Sequence, residues 1–214
     1  MRRTSWILAL ALAAGYIDGL ALLYLGGIFA SVVTGNLVLI GVAAATDPHH
    51  LADPAIRAAL ATTVYTTTVW AARRLPPGRC LVAATAALCT LAGGWAITHH
   101  DPHGLVQLPL LTLATIAVAL QAAAQHDTDQ PTTYLTGTLT RLAQGRARLT
   151  TDAPTLIAIP TGAGAAALLL DHAPWLGPLP AVALLATASV IHATPPRPPR
   201  TPEPAPQRHA AYTP

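Results

Sequence analysis

The sequence contains no lysine, and Asp, Glu, Lys and Arg together supply only 10% of its 214 residues. Soluble domains carry about a quarter of such residues, so a chain of this length lacks the means to cover a globular surface in water. Aromatic residues are also scarce at 5%, with a single Phe, and the only Met is the first residue. The apolar mass is therefore Ala, Leu, Val and Ile, which suits lipid-facing helices better than a dense aqueous core. Cysteine occurs twice, at Cys80 and Cys89. At about 100° per residue these two fall on opposite sides of one helix, which excludes a disulfide or a shared metal between them. The basic residues are all Arg and are not gathered into a face with stacking aromatics, so the pI near 9.2 does not indicate nucleic acid. No nucleophile–base pair, phosphate-cradling Gly-rich loop or paired catalytic carboxylates can be assembled. The expectation is a protein that is not an enzyme and carries no cofactor.

What the chain does have is apolar length. Hydrophobic residues make up 52% of it and the mean hydropathy is +0.46. Runs near the 20 residues needed to cross a bilayer occur at 5–25, 27–45, 55–72, 80–98, 105–124, 153–170 and 175–193. This predicts an all-α polytopic helical membrane protein with six to seven transmembrane segments. Turn and charge signals separate the runs at 47–54, 73–79, 99–104 and 171–174, and a longer polar connection spans 126–152. Arg2, Arg3 and the apolar run 6–14 imitate a secretory signal, but the run continues to Ala45 and is better read as a first membrane helix. The transmembrane domain is expected to cover 1–193, with halves 5–98 and 105–193. Residues 194–214 hold eight prolines and three arginines and are expected to form a disordered tail.

Arginine placement orients the chain, because cytoplasmic loops are enriched in basic residues. If every run crosses, either Arg2 and Arg3 or all the other clusters are stranded outside. If 27–45 enters and leaves on one side, eleven arginines become cytoplasmic and only Arg57 is exterior. The six-crossing arrangement is therefore preferred, with the C-terminal tail in the cytoplasm.

The segment Val33-Thr34-Gly35-Asn36-Leu37 recurs as Leu135-Thr136-Gly137-Thr138-Leu139, 102 residues later. With six crossings the second copy begins on the opposite side, which gives an inverted repeat of two halves with interrupted helices. Transporters built this way bind substrate or ions where such helices break near mid-membrane. The blocks Gly15-Tyr16-Ile17-Asp18-Gly19, Leu25-Gly26-Gly27-Ile28-Phe29, Thr34-Gly35-Asn36-Leu37, Gln121-Ala122-Ala123 and Thr132 to Thr140 together resemble the YoaK-type family of bacterial multi-spanning inner-membrane proteins, a domain of unknown function. The resemblance covers roughly residues 10–193. It implies a polytopic helical protein of the bacterial plasma membrane, and implies no reaction. Leu120 stands where the family usually has Gly before the Gln, and 126–130 is more acidic than the family pattern.

Asp18 is the most informative residue, as the one carboxylate deep within a predicted span. A charge at the bilayer centre costs about 2.5–3.5 kcal/mol and usually faces a cavity or a partner. It is expected to hold a proton, a cation or a ligand, against the plainer reading of a bond to nearby backbone or to Tyr16. Gly15 and Gly19 also make a small-residue face suited to close helix packing. Thr34, Gly35 and Asn36, with Thr136, Gly137 and Thr138, offer polar groups at a helix start, where Thr or Asn can cap. Gln121 sits near the place of Asp18 in the second half and is expected either in the same site or in an interhelical hydrogen bond. His49, His50, His99, His100 and His103 lack the spacing of a metal site. Asp18, Thr34, Gly35, Asn36, Gln121, Thr136, Gly137 and Thr138 are expected to compose a substrate- or ion-binding site, with the lipid bilayer, a small-molecule or ion substrate and a second copy of the chain as expected partners. The alternative is a non-transporting scaffold that packs through its small-residue faces.

Overall fold

A computed structural model describes residues 2–46, 48–125 and 152–193. Among these the chain forms seven α-helices and no strand: α1 (Arg2–Tyr24), α2 (Val33–Ala45), α3 (Pro48–Ala72), α4 (Pro77–Ile97), α5 (Gln107–Ala123), α6 (Asp152–His172) and α7 (Leu179–Ala193). Short 3-10 turns precede α5 and α7, at Gly104–Val106 and Pro174–Leu176. Thr136, Gly137 and Thr138 lie outside the described residues.

α1 is apolar nearly all round and is accordingly the central helix. It packs on α6, α7 and α5, while α3 packs on α5 and α2, and α4 on α5 and α7. Specific contacts fix the directions. The Gln107 side chain, at the start of α5, donates to the Tyr24 carbonyl at the end of α1 (2.8 Å), and Gln121 near the end of α5 donates to the Leu10 carbonyl (2.6 Å). α1 and α5 are therefore antiparallel. Gly15 faces Ile159 and Gly19 faces Ala163, so α1 and α6 are parallel.

Two ends of the bundle follow. At one, the Trp95 indole donates to the Pro174 carbonyl (2.8 Å), the Tyr24 ring meets Trp95 edge to face, and the Tyr16 hydroxyl donates to the Gly177 carbonyl (2.7 Å). Gly177 has φ +43°, and a Cβ there would run into the Trp95 ring. This end gathers the C-termini of α1, α4 and α6 with the N-termini of α5 and α7. At the other, Trp6 stacks on His192, ring centroids 5.4 Å apart. It holds the start of α1, the end of α7 and the four-residue link from α3 to α4.

The path of α2 is then determined. α3 ends where α4 begins, so α3 starts at the Trp95 end, and Arg57 of α3 lies against Gly26 there. Only residues 46 and 47 join α2 to α3, so α2 also ends at the Trp95 end. Yet the segment leading into α2 reaches down to Asp18, about 9 Å back along α1 by the helical rise. Residues 25–45 thus dip into the bundle and return to the side they came from. Of the seven described helices, six run from end to end and α2 is re-entrant.

Local chemistry explains the break. α1 stops at Gly26 (φ +110°) and Gly27 (φ +75°), backbone conformations that side chains other than glycine rarely adopt. Proline in the first turn starts α3 and α4. The boundaries depart from expectation in three places. Residues 48–54, expected as a turn, are the first turns of α3: Pro48 opens the helix, where no backbone donor is needed, whereas Pro54 lies inside it and forgoes one helical bond. The run 27–45 is helical only from Val33, and 175–193 only from Leu179.

The surface is inverted relative to that of a soluble protein. Val38, Ile56, Trp70, Val82, Ile97, Ile157, Leu168 and Val190 are all well exposed. Among the described residues, four helical stretches are long and apolar enough to cross a membrane: Ser5–Tyr24, Pro77–Ile97, Gly104–Ala123 and Pro154–His172. α3 carries five threonines, and two of their hydroxyls turn back on its own backbone. Thr66 bonds to the Thr62 carbonyl (2.8 Å) and Thr67 to that of Thr63 (2.7 Å), which hides their polarity from lipid. Cys80 is buried and Cys89 exposed, on opposite faces of α4 as their spacing requires.

Shifted by 102 residues, α1 falls on the Gly104–Val106 turn and α5, α3 on α6, and α4 on α7. The packing follows the same exchange. α1 meets α6 and α7 as α5 meets α3 and α4, and each member of a pair runs opposite to its counterpart.

Candidate functional site

Asp18 is 7% exposed and accepts two hydrogen bonds from one residue, Ser31. The Ser31 backbone N–H reaches Oδ1 at 2.8 Å and its hydroxyl reaches Oδ2 at 2.5 Å. Residues at equal height on α1 and α5 are Tyr24 with Gln107 and Leu10 with Gln121. The two helices, related by the 102-residue shift, therefore meet in the middle near Ala14 and Gly15. Asp18 lies about 5 Å from that middle, toward the Trp95 end. An acid near the centre of a helical membrane protein thus anchors the deepest part of the re-entrant segment.

Asn36 builds the rest of this turn. Its Nδ2 donates to the Phe29 carbonyl (2.8 Å), and its Oδ1 accepts the Phe29 N–H (3.3 Å). The side chain thereby satisfies both backbone groups of a residue outside any helix, where water is not at hand. Gly35 lies beneath the Phe29 and Val32 side chains, where a Cβ would come within 3.5 Å of the ring. The expectation that Thr34 or Asn36 caps α2 is corrected. The N-cap position is Val32 with no side-chain cap, Thr34 is exposed inside the first turn, and Asn36 points backward to Phe29.

Gln121 does not join Asp18. It bonds the Leu10 carbonyl, eight residues before Asp18 on α1, or about 12 Å along the axis. Its Oε1 is buried and has no hydrogen-bond partner among the described residues. Of the expected site, Asp18 and the Gly35–Asn36 turn converge through the segment 29–31; Gln121 stands apart. Tyr16 is not the partner of Asp18, because its hydroxyl is used at Gly177.

Gly15 and Gly19 pack helices. A Cβ on Gly15 would lie 2.9 Å from the Ile159 Cα, one on Gly19 would lie 3.0 Å from the Ala163 Cα, and one on Gly162 would lie 2.9 Å from the Tyr16 nitrogen. In the α4–α5 turn the Asp101 carboxylate meets His103 at 2.8 Å on the exposed surface. Among the described residues no group of three or more His, Cys, Asp or Glu side chains is placed to hold a metal ion.

Two residues carry this region without having been read from sequence as part of the site. Ser31 is one, and its signal was its place just beyond the Gly26–Gly27 break. Arg57 is the other, 6% exposed, with Nε on Asp53 at 2.7 Å and its chain against Gly26.

An all-α bundle with an apolar exterior, four long apolar spans and a re-entrant segment held by a buried acid defines a polytopic membrane protein. The chain matches the family described as protein of unknown function, DUF1275, over residues 6–191, and it belongs to that family, the YoaK-type family of the resemblance above. Comparison with curated proteins and with solved structures finds no match.

Proposed function

We propose that the protein is a small transporter of the bacterial plasma membrane, built from two inverted halves, whose substrate path runs past the Asp18–Ser31 contact. The observation that carries this reading is the interrupted helix pinned near the middle of the bundle by a buried carboxyl group. Irregular backbone at that depth is tolerated where it is buried in protein or lines a cavity, and transporters place their sites at such breaks. The exchange of α1, α3 and α4 with α5, α6 and α7 supports the two-half organisation. Arg73, Arg74 and Arg79 lie at the same end as the N-terminus, so the charge rule orients that end, and the C-terminal tail with it, to the cytoplasm.

Asp18 acts as the switch of this path. With its oxygens free of a proton it accepts both Ser31 donors and holds 25–32 inside the bundle. Occupation of the carboxyl group by a proton or cation competes with those bonds and frees the segment to move. The test uses purified protein in liposomes loaded with a pH-sensitive dye, challenged with organic acids, amino acids and monovalent cations. The expected result is a solute-driven signal that Asp18→Asn abolishes. A signal identical in wild type and Asp18→Asn, or none with any solute, overturns the reading.

A further inference from the structure

Arg57 breaks the charge pattern of the fold. Every other arginine of the described helices and links lies at the end of the bundle that holds the N-terminus, whereas Arg57 lies at the Trp95 end. It is also buried, with only 7% of its side chain exposed. A lone arginine with no orienting role, withdrawn from solvent, needs another reason to be there.

Its hydrogen bonding is half complete. Nε donates to Asp53 Oδ2 at 2.7 Å, and that carboxylate is 72% exposed, so one edge of the guanidinium is met from outside. Nη1 is buried and has no hydrogen-bond partner among the described residues. The group lies against the helix break: a Cβ on Gly26 would sit 2.9 Å from Nε and 3.0 Å from Nη1. Gly26 and Gly27 both have positive φ, and a Cβ on Gly27 would meet nothing within 4 Å. Gly26 thus lies over Nη1, and the space beside its neighbour Gly27 is open.

A buried cationic donor without an acceptor is costly, and the planar fork of arginine fits carboxylate and phosphate oxygens two at a time. We infer that Arg57 is an oxyanion-binding residue at the mouth of the re-entrant segment, reached when the Gly26–Gly27 turn swings off Nη1. The ligand is a carboxylate or phosphate group. It comes either from a soluble anion or from a lipid headgroup, since this end of the bundle is the level at which α1, α4 and α6 all stop. The site is separate from Asp18, and its occupancy does not depend on transport.

The experiment is thermal unfolding of the full-length protein, titrated with sodium phosphate or sodium acetate at constant ionic strength in chloride. A second arm compares nanodiscs of phosphatidylglycerol with nanodiscs of phosphatidylcholine. The expected result is a saturable rise in melting temperature whose half-point moves at least tenfold higher in Arg57→Gln. Arg57→Lys, which keeps the charge and loses the fork, should fall between the two. A rise with phosphate or acetate assigns a soluble anion; a rise confined to phosphatidylglycerol assigns a headgroup. Should Arg57→Gln not fold, the lysine variant decides alone, and a half-point equal to wild type counts against the site. No rise in any arm, or an equal rise in Arg57→Gln, overturns the inference. Asp18→Asn should bind as wild type does, so a failure of the transport reading leaves this result standing.

Discussion

Replacing Ser31 by alanine removes one of the two bonds that hold the re-entrant segment at its deepest point, and leaves the other. The hydroxyl bond to Asp18 Oδ2 is short, at 2.5 Å, and lies inside the bundle, while the backbone bond to Oδ1 at 2.8 Å survives the substitution. Hydrogen bonds to charged groups contribute about 1.5–3 kcal/mol in proteins generally. Interhelical bonds measured by double-mutant cycles within membranes average about 0.6 and reach about 1.7 kcal/mol. A buried carboxyl group with two donors from one residue belongs at the upper end of the membrane range. The coupling between Asp18→Ala and Ser31→Ala should therefore be about 1–2 kcal/mol, and Asp18→Ala alone should cost more than Ser31→Ala because it strands both donors. The assay is reversible unfolding in mixed micelles for the four members of the cycle, with amide hydrogen exchange over 28–36. Because 1.4 kcal/mol is a factor of ten, exchange at those amides should rise about tenfold in Ser31→Ala while the middle of α4 stays unchanged. A coupling below about 0.5 kcal/mol, the limit of additivity for independent sites, with unaltered exchange at 28–36, would refute the claim that this contact anchors the segment.

Two further outcomes follow from the packing. Gly162→Val should destabilise the protein by about 1–3 kcal/mol, the usual cost of overpacking, because a Cβ there meets the α1 backbone at Tyr16; Gly164→Val, where a Cβ meets nothing within 4 Å, should be near neutral, and equal melting temperatures for the two would contradict the packing. Reporter fusions after His50 and after Gly78 should read periplasmic and cytoplasmic respectively, because α3 joins opposite ends of the bundle; the same side for both would remove α3 as a crossing and with it the inverted exchange of helices.

Much of the architecture was legible because membrane helices advertise themselves by length. The apolar runs fell on helices, and arginine placement alone selected the path in which 27–45 returns to its own side, the path the helix directions take. The 102-residue offset, visible in sequence only as Thr-Gly-x-Leu, recurs in which helices pack together. The start of α3 was hidden because Pro48, His49, His50, Asp53 and Pro54 compose a turn by residue type, yet Pro48 only opens the helix and Pro54 is carried inside it at the cost of one helical bond. Ser31 was hidden for a different reason. Its bond to Asp18 spans 13 residues and a chain reversal, and neither periodicity nor spacing encodes where a reversed chain comes to rest. Gln121 was drawn toward Asp18 by counting from the repeated threonines. Such counting aligns sequence positions, whereas an inverted pair of helices carries matching positions to opposite sides of the middle. An alignment position close to Asp18 is therefore expected to lie far from it in space.

That inversion also bears on why one segment should be held by groups of opposite sign. Residues 25–32 run between Arg57, which lies against Gly26, and Asp18, which binds Ser31. The two grips differ in kind. Asp18 is fully engaged, with each oxygen accepting a hydrogen bond, whereas the arginine retains an unused donor beneath a turn of two glycines. Release at Asp18 therefore costs hydrogen bonds, while release at Arg57 costs little and exposes a donor that an anion would satisfy. A segment held this way opens first at the glycine turn, where φ is already positive and a neighbour is lacking beside Gly27. It opens at its deepest point only when something competes for the carboxyl group. The order follows from the unequal satisfaction of two buried charges, and under the two proposals above it puts the anion step at the mouth of the bundle ahead of any step at its middle.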